Sequence, residues 1–341
     1  MTTIPTDRLG RRIGDLRVSV TDRCNFRCPY CMPAEVYGEH YEFVPRAELL
    51  SFEEIERLVR IFVRGGVEKV RITGGEPLLR AQLPRLIERL AAIGGLRDLT
   101  LTTNGYLLAQ HAQALAAAGL NRISVSLDAV DEETFGRMNG RNAQVAQVLA
   151  GVEAAAAAGL TPIKINSVII RGLNDHTIVE TARHFRGSGH ILRFIEFMDV
   201  GTKNHWTSDD VVSATEIVET IDRTFPLEAI APNYAGEVAE RYRYKDGGGE
   251  VGVIASVTRP FCGQCTRARL STDGRLVTCL FATDGTDLKD PLRTGASDDH
   301  LAHLISSVWS LRKDRYSEER AEELDKPTAG KPRIEMYELG G

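Results

Sequence analysis

Six cysteines are the residues of this chain best suited to chemistry, and they fall into two groups of three. One group spans eight residues and the other lies far downstream: Cys24, Cys28 and Cys31, then Cys262, Cys265 and Cys279. A structural zinc site normally takes four protein ligands. Three thiolates can instead hold three corners of an iron–sulfur cube and leave the fourth iron free to bind another molecule. The spacing therefore predicts two open clusters.

The surroundings of the first group favour a cluster over the alternative of a structural zinc loop. His40 is the nearest fourth ligand that a zinc site could use. The triad is unusually compact, however, and other polar motifs follow the neighbouring predicted strands. The arginines at positions 23 and 27 are expected to favour thiolate over thiol.

The segment Gly74-Gly75-Glu76-Pro77 follows the second predicted strand. Its glycines allow a ligand to approach the backbone, its glutamate offers a carboxylate to a cationic group, and its proline fixes the turn. Two glycines after a strand most often make only a tight turn. Beside a three-cysteine loop, they indicate a ligand site.

The elements that must position these residues alternate between short β-branched runs and amphipathic segments, a pattern typical of strand–helix units around a parallel sheet. Ser51 followed by Glu54 predicts a helix that begins with a capping box. Six units are too few for a closed eight-fold barrel, so we predict an α/β fold with an incomplete (β/α)6 barrel, which is a partial TIM barrel. The six strands are predicted at residues 16–20, 67–72, 99–102, 122–127, 162–169 and 191–197.

The last third of the chain has a different character. Residues 241–257 predict a hairpin that turns at 246–249, and the second cysteine group follows directly. We expect this C-terminal region to carry the second cluster and to cover the lateral opening of the barrel. The predicted domains are therefore residues 1–210 and 211–341.

Composition points to a cytoplasmic enzyme. Six cysteines in 341 residues is a low density for a disulfide scaffold, and no apolar run approaches the length of a membrane span. A net charge of −5 argues against nucleic-acid binding. An anionic substrate would then need a local basic pocket.

The first cysteine group together with Gly-Gly-Glu-Pro resembles the radical S-adenosylmethionine (SAM) superfamily, whose members fold as partial barrels of six strand–helix units. The resemblance implies a 4Fe-4S cluster on Cys24, Cys28 and Cys31, whose free iron chelates SAM. Reductive cleavage of SAM would then release a 5′-deoxyadenosyl radical. The Gly-Gly-Glu-Pro turn would receive the methionine ammonium group.

Residues 16–24 (LRVSVTDRC) and 261–270 (FCGQCTRARL) further resemble the GTP 3′,8-cyclase branch, and the ending at 333–341 resembles its double-glycine tail, with Leu339 in place of the usual isoleucine. This branch carries out the first step of molybdenum cofactor (molybdopterin) biosynthesis. The resemblance implies that the ribose 3′ hydrogen of GTP is abstracted and that the radical attacks guanine carbon 8. The product would be (8S)-3′,8-cyclo-7,8-dihydroguanosine 5′-triphosphate, and a second 4Fe-4S cluster on the downstream cysteines would bind the guanine.

The same resemblance implies roles for individual residues. The GTP site would comprise Arg17, Arg71, Thr102, Lys164, Arg267, Ala268 and Arg269, of which Arg17, Arg267 and Arg269 would act in catalysis. The SAM site would comprise Tyr30, Gly75, Ser126 and Met198. Independently of the resemblance, Arg17 and Arg71 each stand within an apolar strand, so both are expected to point into the barrel.

The resemblance also implies partners: an electron donor such as flavodoxin or ferredoxin, a downstream cyclic pyranopterin monophosphate synthase, and a homodimer as a possible assembly. Two other functions stay open. A radical SAM enzyme that modifies peptides would also use an auxiliary cluster, although such proteins usually carry more C-terminal cysteines. A non-enzymatic iron–sulfur redox sensor would explain both cysteine groups, but it would not need Gly-Gly-Glu-Pro.

Overall fold

The computed structural model describes residues 4–234, 236–322 and 333–340. Its first part alternates strands and helices. The strands are β1 (Asp15–Ser19), β2 (Lys69–Thr73), β3 (Asp98–Thr103), β4 (Arg122–Ser126), β5 (Lys164–Ile169) and β6 (Ile191–Glu196). The helices are α1 (Phe52–Arg64), α2 (Leu83–Ala91), α3 (Leu108–Ala117), α4 (Glu132–Asn139), α5 (Val145–Ala157) and α6 (Ile178–Phe185).

The remaining elements follow β6. The strands are β7 (Leu227–Ile230), β8 (Glu240–Tyr244), β9 (Glu250–Ile254), β10 (Arg267–Leu270), β11 (Arg275–Val277) and β12 (Thr286–Asp287). The helices are α7 (Ala214–Asp222), α8 (Lys289–Arg293), α9 (Asp298–Ser310), α10 (Tyr316–Glu322) and α11 (Met336–Leu339).

All the strands join one open sheet in the order β12-β11-β10-β1-β2-β3-β4-β5-β6-β9-β8-β7. Strands β1 to β6 are parallel and lie in chain order, as the alternating pattern predicted. Strand β10 pairs with β1 and strand β9 pairs with β6, both in parallel. The C-terminal strands therefore extend both edges of the N-terminal sheet.

The predicted local signals are present. Helix α1 begins after Ser51 with the expected capping box: Ser51 Oγ accepts from the amide of Glu54, and the Glu54 carboxylate accepts from the amide of Ser51. Strands β8 and β9 form the predicted antiparallel hairpin. In the part of the chain that the structure describes, no helix is long and apolar enough to cross a bilayer.

Two strands begin later than predicted. Strand β2 starts at Lys69 because the amide of Val67 is bonded to the carbonyl of Phe62 at the end of α1. Strand β5 starts at Lys164, after Pro162, which has no amide hydrogen to donate.

The pleat of β1 and β2 separates core residues from cavity residues. Leu16 and Val18 are fully buried in the hydrophobic core, as is Val70. Arg17 and Arg71 alternate with them and line a central cavity, because successive side chains of a strand point to opposite faces. Both arginines therefore point inward, as expected.

Candidate active site

The central cavity has a volume of about 650 Å³ and is lined by residues from strands at both ends of the parallel run, including Arg269 of β10 and Ile254 of β9. The sheet therefore curves around it. The volume suits a nucleotide-sized ligand. Ten cationic side chains line the wall: Arg17, Lys69, Arg71, Arg97, Arg122, Lys164, Arg193, Arg267, Arg269 and Arg312. Only four acidic side chains do so: Asp15, Glu68, Asp98 and Asp314.

Some of these cations are neutralised by the protein. Lys69 Nζ lies 3.2 Å from Asp15 Oδ2, and Arg122 forms an ion pair with Asp98. Within the described residues, five others form no ion pair with a carboxylate, and they are the five cations that the sequence assigned to GTP: Arg17, Arg71, Lys164, Arg267 and Arg269.

Three of these five cations, all of them arginines, lie side by side. Arg17 is in register with Arg269 of β10 on one side and with Arg71 of β2 on the other. Facing like charges are destabilising in a sheet. Among the described residues, the buried Nε atoms of all three have no hydrogen-bond partner. Unpaired buried donors are costly, and a bound anion would satisfy those of this row.

Repulsion between neighbouring cations also lowers the pKa values of several of these side chains. Burial and the neighbouring arginines hold the pKa of Arg17 well below its ordinary value. Burial, then Arg267, lowers the pKa of Arg269 to about 10. Burial, then Arg193 and Arg122, lowers the pKa of Lys164 to about 7. A bound polyanion would relieve the repulsion at each of these groups.

The second cysteine group lies on the same cavity wall, since Cys262, Cys265 and Cys279 all line it. The amide of Cys265 donates to the carbonyl of Cys262 at 3.1 Å. Although burial opposes it, the charges of Arg267 and Arg312 lower the pKa of Cys265 to about 6, and Arg267 Nη2 lies 3.5 Å from Cys265 Sγ. A thiolate is the form that binds metal, so Cys265 suits an iron–sulfur cluster, whereas burial raises the pKa of Cys279 to about 11.

The first cysteine group lies in the loop after β1. The amide of Cys31 donates to the carbonyl of Cys28 at 3.0 Å. The three thiols are close enough to influence one another, and burial is the main reason that the pKa of each is raised, for Cys24 to about 12. The charge of Arg27 lowers the pKa of Cys24, as expected, but burial outweighs this effect. As thiolates, these three sulfurs would repel one another. A cationic iron–sulfur core bound to all three would offset that repulsion.

Arg27 has a structural function instead. Its guanidinium is buried and donates to three backbone carbonyls of the loop, those of Tyr37, Cys24 and Phe26, at 2.7, 2.8 and 2.7 Å. It therefore fixes the path of the chain between two cysteines.

All six cysteines are free of disulfides. Among the described residues, no group of three or more His, Cys, Asp or Glu side chains converges on a single metal ion. The thiolates of a cubic cluster bind separate iron atoms and need no such convergence. His40 is exposed.

The glycines of Gly74-Gly75-Glu76-Pro77 have a packing role that the sequence did not predict. A Cβ atom on Gly74 or Gly75 would lie 2.3 Å from the carbonyl oxygen of Thr21 or Arg23. The amides of Gly75 and Glu76 donate to those same carbonyls at 2.7 and 2.8 Å. The glycines therefore let the turn pack against the cysteine loop.

Glu76 is held in place by several hydrogen bonds. Its buried carboxylate accepts from Thr103 Oγ1 at 2.7 Å and from the amides of Asn104 and Leu78 at 2.7 and 2.9 Å. Burial nevertheless raises its pKa to about 7. The carboxylate joins this turn to the loop after β3, and any ammonium group held here would contact the backbone carbonyls around it.

The residues assigned to SAM occupy several positions. Tyr30 is buried beside Cys28 and Cys31, and its hydroxyl donates to Asp128 Oδ2 at 2.8 Å. Gly75 lies in the turn just described, and Ser126 ends β4. Met198 lines the arginine-rich cavity.

Two of the residues assigned to GTP differ from the cations. Thr102 lines the cavity, and its Oγ1 accepts from Arg71 Nη1 at 3.0 Å. Ala268 has a fully buried side chain in the hydrophobic core. Only its backbone could therefore contact a ligand in the cavity, because its strand neighbours Arg267 and Arg269 take the inward face.

Sequence reasoning missed two contributors, Arg193 and Asp128. Arg193 alternates with Leu192 and Phe194 in β6 as Arg71 does in β2; it lines the cavity, its Nε is unpaired, and burial lowers its pKa to about 10. That alternation was a usable signal. Asp128, which accepts from the Tyr30 hydroxyl, was not singled out. The double-glycine tail was noted by resemblance, and the carbonyl of Gly340 accepts from Arg17 Nη1 at 3.4 Å, so this part of the tail does reach the cavity.

Comparison with known proteins gives the class and then the family. Residues 18–185 match the family model described as Radical SAM superfamily, and residues 190–318 match Molybdenum Cofactor Synthesis C. The fold and the first match make this chain a radical SAM protein. A radical SAM methyltransferase from Sphaerobacter thermophilus is similar in structure with a TM-score of 0.46 and 18% identity, over 60% of this chain and 61% of that one.

Two relatives are similar over nearly their full length. The GTP 3′,8-cyclase of Xanthomonas axonopodis pv. citri is 53% identical and is covered completely, as is this chain. The GTP 3′,8-cyclase of Acidothermus cellulolyticus is also 53% identical, over 95% of this chain and 91% of the relative. The chain therefore belongs to the GTP 3′,8-cyclase family.

Proposed function

We propose that this protein is a radical SAM enzyme that cyclises GTP to (8S)-3′,8-cyclo-7,8-dihydroguanosine 5′-triphosphate, the first step of molybdenum cofactor biosynthesis. The observation that carries the proposal is the joint presence, in one cavity, of five cations without a carboxylate partner and a second group of three cysteines. The cations would bind a triphosphate. The cysteine group would hold the open cluster that binds the guanine base. The family relationship supports the same reaction.

Cys24, Cys28 and Cys31 would hold the first 4Fe-4S cluster, which supplies the electron and the binding site for reductive SAM cleavage when it is bound. Tyr30 lies in this loop, and its hydroxyl is fixed by a hydrogen bond to Asp128. Gly75 brings the neighbouring turn into contact with it, and Ser126 and Met198 complete the proposed SAM site.

The row Arg269, Arg17 and Arg71 would bind the triphosphate, with Lys164 and Arg267 adding charge on either side. Guanidinium groups suit phosphate because they donate two parallel hydrogen bonds in a fixed plane. Cys262, Cys265 and Cys279 would hold the second cluster at the base end of the nucleotide. With both ends fixed, the ribose would be held in place for loss of its 3′ hydrogen and for closure onto guanine carbon 8.

The architecture supports different roles for the N-terminal and C-terminal parts of the chain. Residues 1–210 would form the six-unit partial barrel, and residues 211–341 would extend both of its edges and carry the second cluster. We place the protein in the cytoplasm, with flavodoxin or ferredoxin as electron donor and a cyclic pyranopterin monophosphate synthase downstream.

The test is an anaerobic assay. The protein is reconstituted with iron and sulfide, mixed with dithionite, SAM and GTP, and the products are identified by mass spectrometry. We expect 5′-deoxyadenosine and an isomer of GTP with the same mass. Cys24→Ala should abolish both, whereas Cys262→Ala should abolish the GTP isomer and lower the iron content by about four atoms per chain.

Other outcomes would select the alternatives. If 5′-deoxyadenosine forms and GTP is untouched, the substrate is wrong and a peptide-modifying enzyme gains support. If neither product forms although both clusters are intact, the redox sensor gains support.

A further inference from the structure

A second depression, of about 880 Å³, lies on the surface beside the cysteine loop and has no function in the proposal above. Thr21 and Arg23, which directly precede Cys24, form part of its wall. The wall carries six arginines, here called the arginine patch: Arg23, Arg46, Arg80, Arg85, Arg89 and Arg293. Of the described residues on this wall, Glu53 alone is acidic.

Most of this positive charge is not compensated. Arg89 is paired with Glu53 and Glu56, and Arg293 is paired with Glu54. The other four form no ion pair with a carboxylate within the described residues: Arg23, Arg46, Arg80 and Arg85. Such a concentration is unexpected on a chain whose net charge is −5, and it attracts a negatively charged surface.

The patch is held in place by the fold. Arg80 Nη2 donates to the carbonyl of Leu50 at 2.9 Å, and its guanidinium lies 5.3 Å from the centre of the Phe52 ring. Arg23 lies against the Phe43 ring at 5.5 Å. Leu79, which is 42% exposed, adds an apolar contact at the rim. Arginine is enriched at protein interfaces relative to the rest of the surface.

The patch is also connected to the first cysteine loop. Arg23 is exposed and adjoins Cys24, and its carbonyl accepts from the amide of Glu76 at 2.8 Å. Glu76 belongs to the Gly-Gly-Glu-Pro turn, and Leu79 and Arg80, which line the depression, follow soon after this turn in the sequence. A partner seated on the patch would therefore lie next to the loop that holds the first cluster.

We propose that the arginine patch is the docking surface for an acidic one-electron carrier protein. This inference rests on the proposed function, because reductive SAM cleavage requires an external electron. The reduced carrier would give one electron to the cluster held by the first cysteine group and would itself be oxidised by one electron, with no covalent bond made or broken at the patch. Weak electron-transfer complexes use small interfaces of this kind.

The experiment compares two reductants on the reconstituted holoenzyme. The double variant Arg46→Glu/Arg85→Glu reverses two exposed charges that contact neither cysteine group. The matched control Arg223→Glu/Lys245→Glu makes the same change in net charge at sites away from the patch. The readout is 5′-deoxyadenosine formation, driven either by dithionite or by reduced flavodoxin with its reductase, at low and high salt.

With flavodoxin at low salt, we expect the patch variant to be slower than wild type by about five- to tenfold, and we expect added salt to reduce the difference. With dithionite, the patch variant should match wild type, and the control variant should match it with both reductants. Equal rates of the patch variant and wild type with flavodoxin would overturn the proposal.

Two further arms keep the result decisive. If charge reversal also lowers the dithionite rate, the neutral variant Arg46→Gln/Arg85→Gln is tested instead. Binding of labelled flavodoxin to this variant and to the wild-type holoenzyme is then measured directly, and unchanged binding overturns the proposal. Because SAM cleavage is read without GTP conversion, a failure of the GTP assignment leaves this test intact.

Discussion

The guanidinium of Arg17 in the first strand donates to the carbonyl of Gly340 at 3.4 Å. The two residues are 323 positions apart, and their contact brings the end of the chain to the centre of the arginine row. Gly340 has a positive φ of 64°, and a Cβ atom there would lie 2.0 Å from Thr73 Cγ2. Gly341 lies outside the described residues.

Gly340→Ala should therefore displace the chain end from Arg17. We expect GTP conversion to fall by about tenfold or more, since small misplacements in a positioned site are costly, while the iron content stays at the wild-type value. The matched control is Gly247→Ala, where φ is also positive at 82° but nothing lies within 4 Å. Equal loss in both variants would show that backbone strain alone is responsible.

Lys164 should make GTP binding depend on pH. Its pKa is lowered to about 7, so the free site loses this charge as the pH rises through 7, whereas a bound triphosphate favours the charged form. Affinity for GTP should fall between pH 6.5 and 8.5, by at most about tenfold per pH unit, with proton uptake on binding. Calorimetry in two buffers of different ionisation enthalpy measures both.

The variant Lys164→Gln provides the baseline for that measurement. It lacks the titrating lysine, so any pH dependence that remains comes from other groups, including the nucleotide itself. We expect its affinity to be weaker at pH 6.5 and its proton uptake to be smaller. A wild-type profile that coincides with that of the variant would contradict the role of Lys164.

Glu76→Ala should destabilise the protein. It would leave the Thr103 hydroxyl and the amides of Leu78 and Asn104 without their acceptor, which we expect to lower the free energy of unfolding by about 2–4 kcal/mol. Urea denaturation at pH 6, below the Glu76 pKa of about 7, measures the change while little charge is buried. The control Glu68→Ala removes a carboxylate that is 57% exposed and should change stability by no more than about 0.5 kcal/mol.

Arg27→Ala should loosen the first cysteine loop without removing a cysteine. Three backbone carbonyls would lose their donor, so we expect a loss of at least about 2 kcal/mol of stability and a lower iron content in the first cluster. Iron analysis and electron paramagnetic resonance of the reduced protein, with and without SAM, measure the effect. The exposed neighbour Arg141→Ala is the control, and equal cluster signals in the two variants would refute the role of Arg27.

The six parallel strands and the hairpin were predictable because their signals are local: alternation, capping and turn residues lie within a few positions of each other. The same holds for both cysteine groups. The inward direction of Arg17 and Arg71 was predictable too, because a charged residue between buried neighbours must take the other face of its strand.

Other features could not be predicted because they depend on packing. Gly74 and Gly75 seemed suited to a ligand, yet they make room for the cysteine loop. Arg27 seemed suited to activating thiols, yet burial decides their pKa values, and burial is not a property of sequence spacing.

By itself, the sequence determined which residues could do chemistry and the order of the strands that carry them. Only the tertiary structure decided that Arg269, Arg17 and Arg71 stand in one row, and that this row shares a cavity with the second cysteine group. The physical reason is that β10 joins the sheet beside β1, although about 250 residues separate them. Pairing between such distant strands follows from the burial of the sheet as a unit, so no local pattern encodes it.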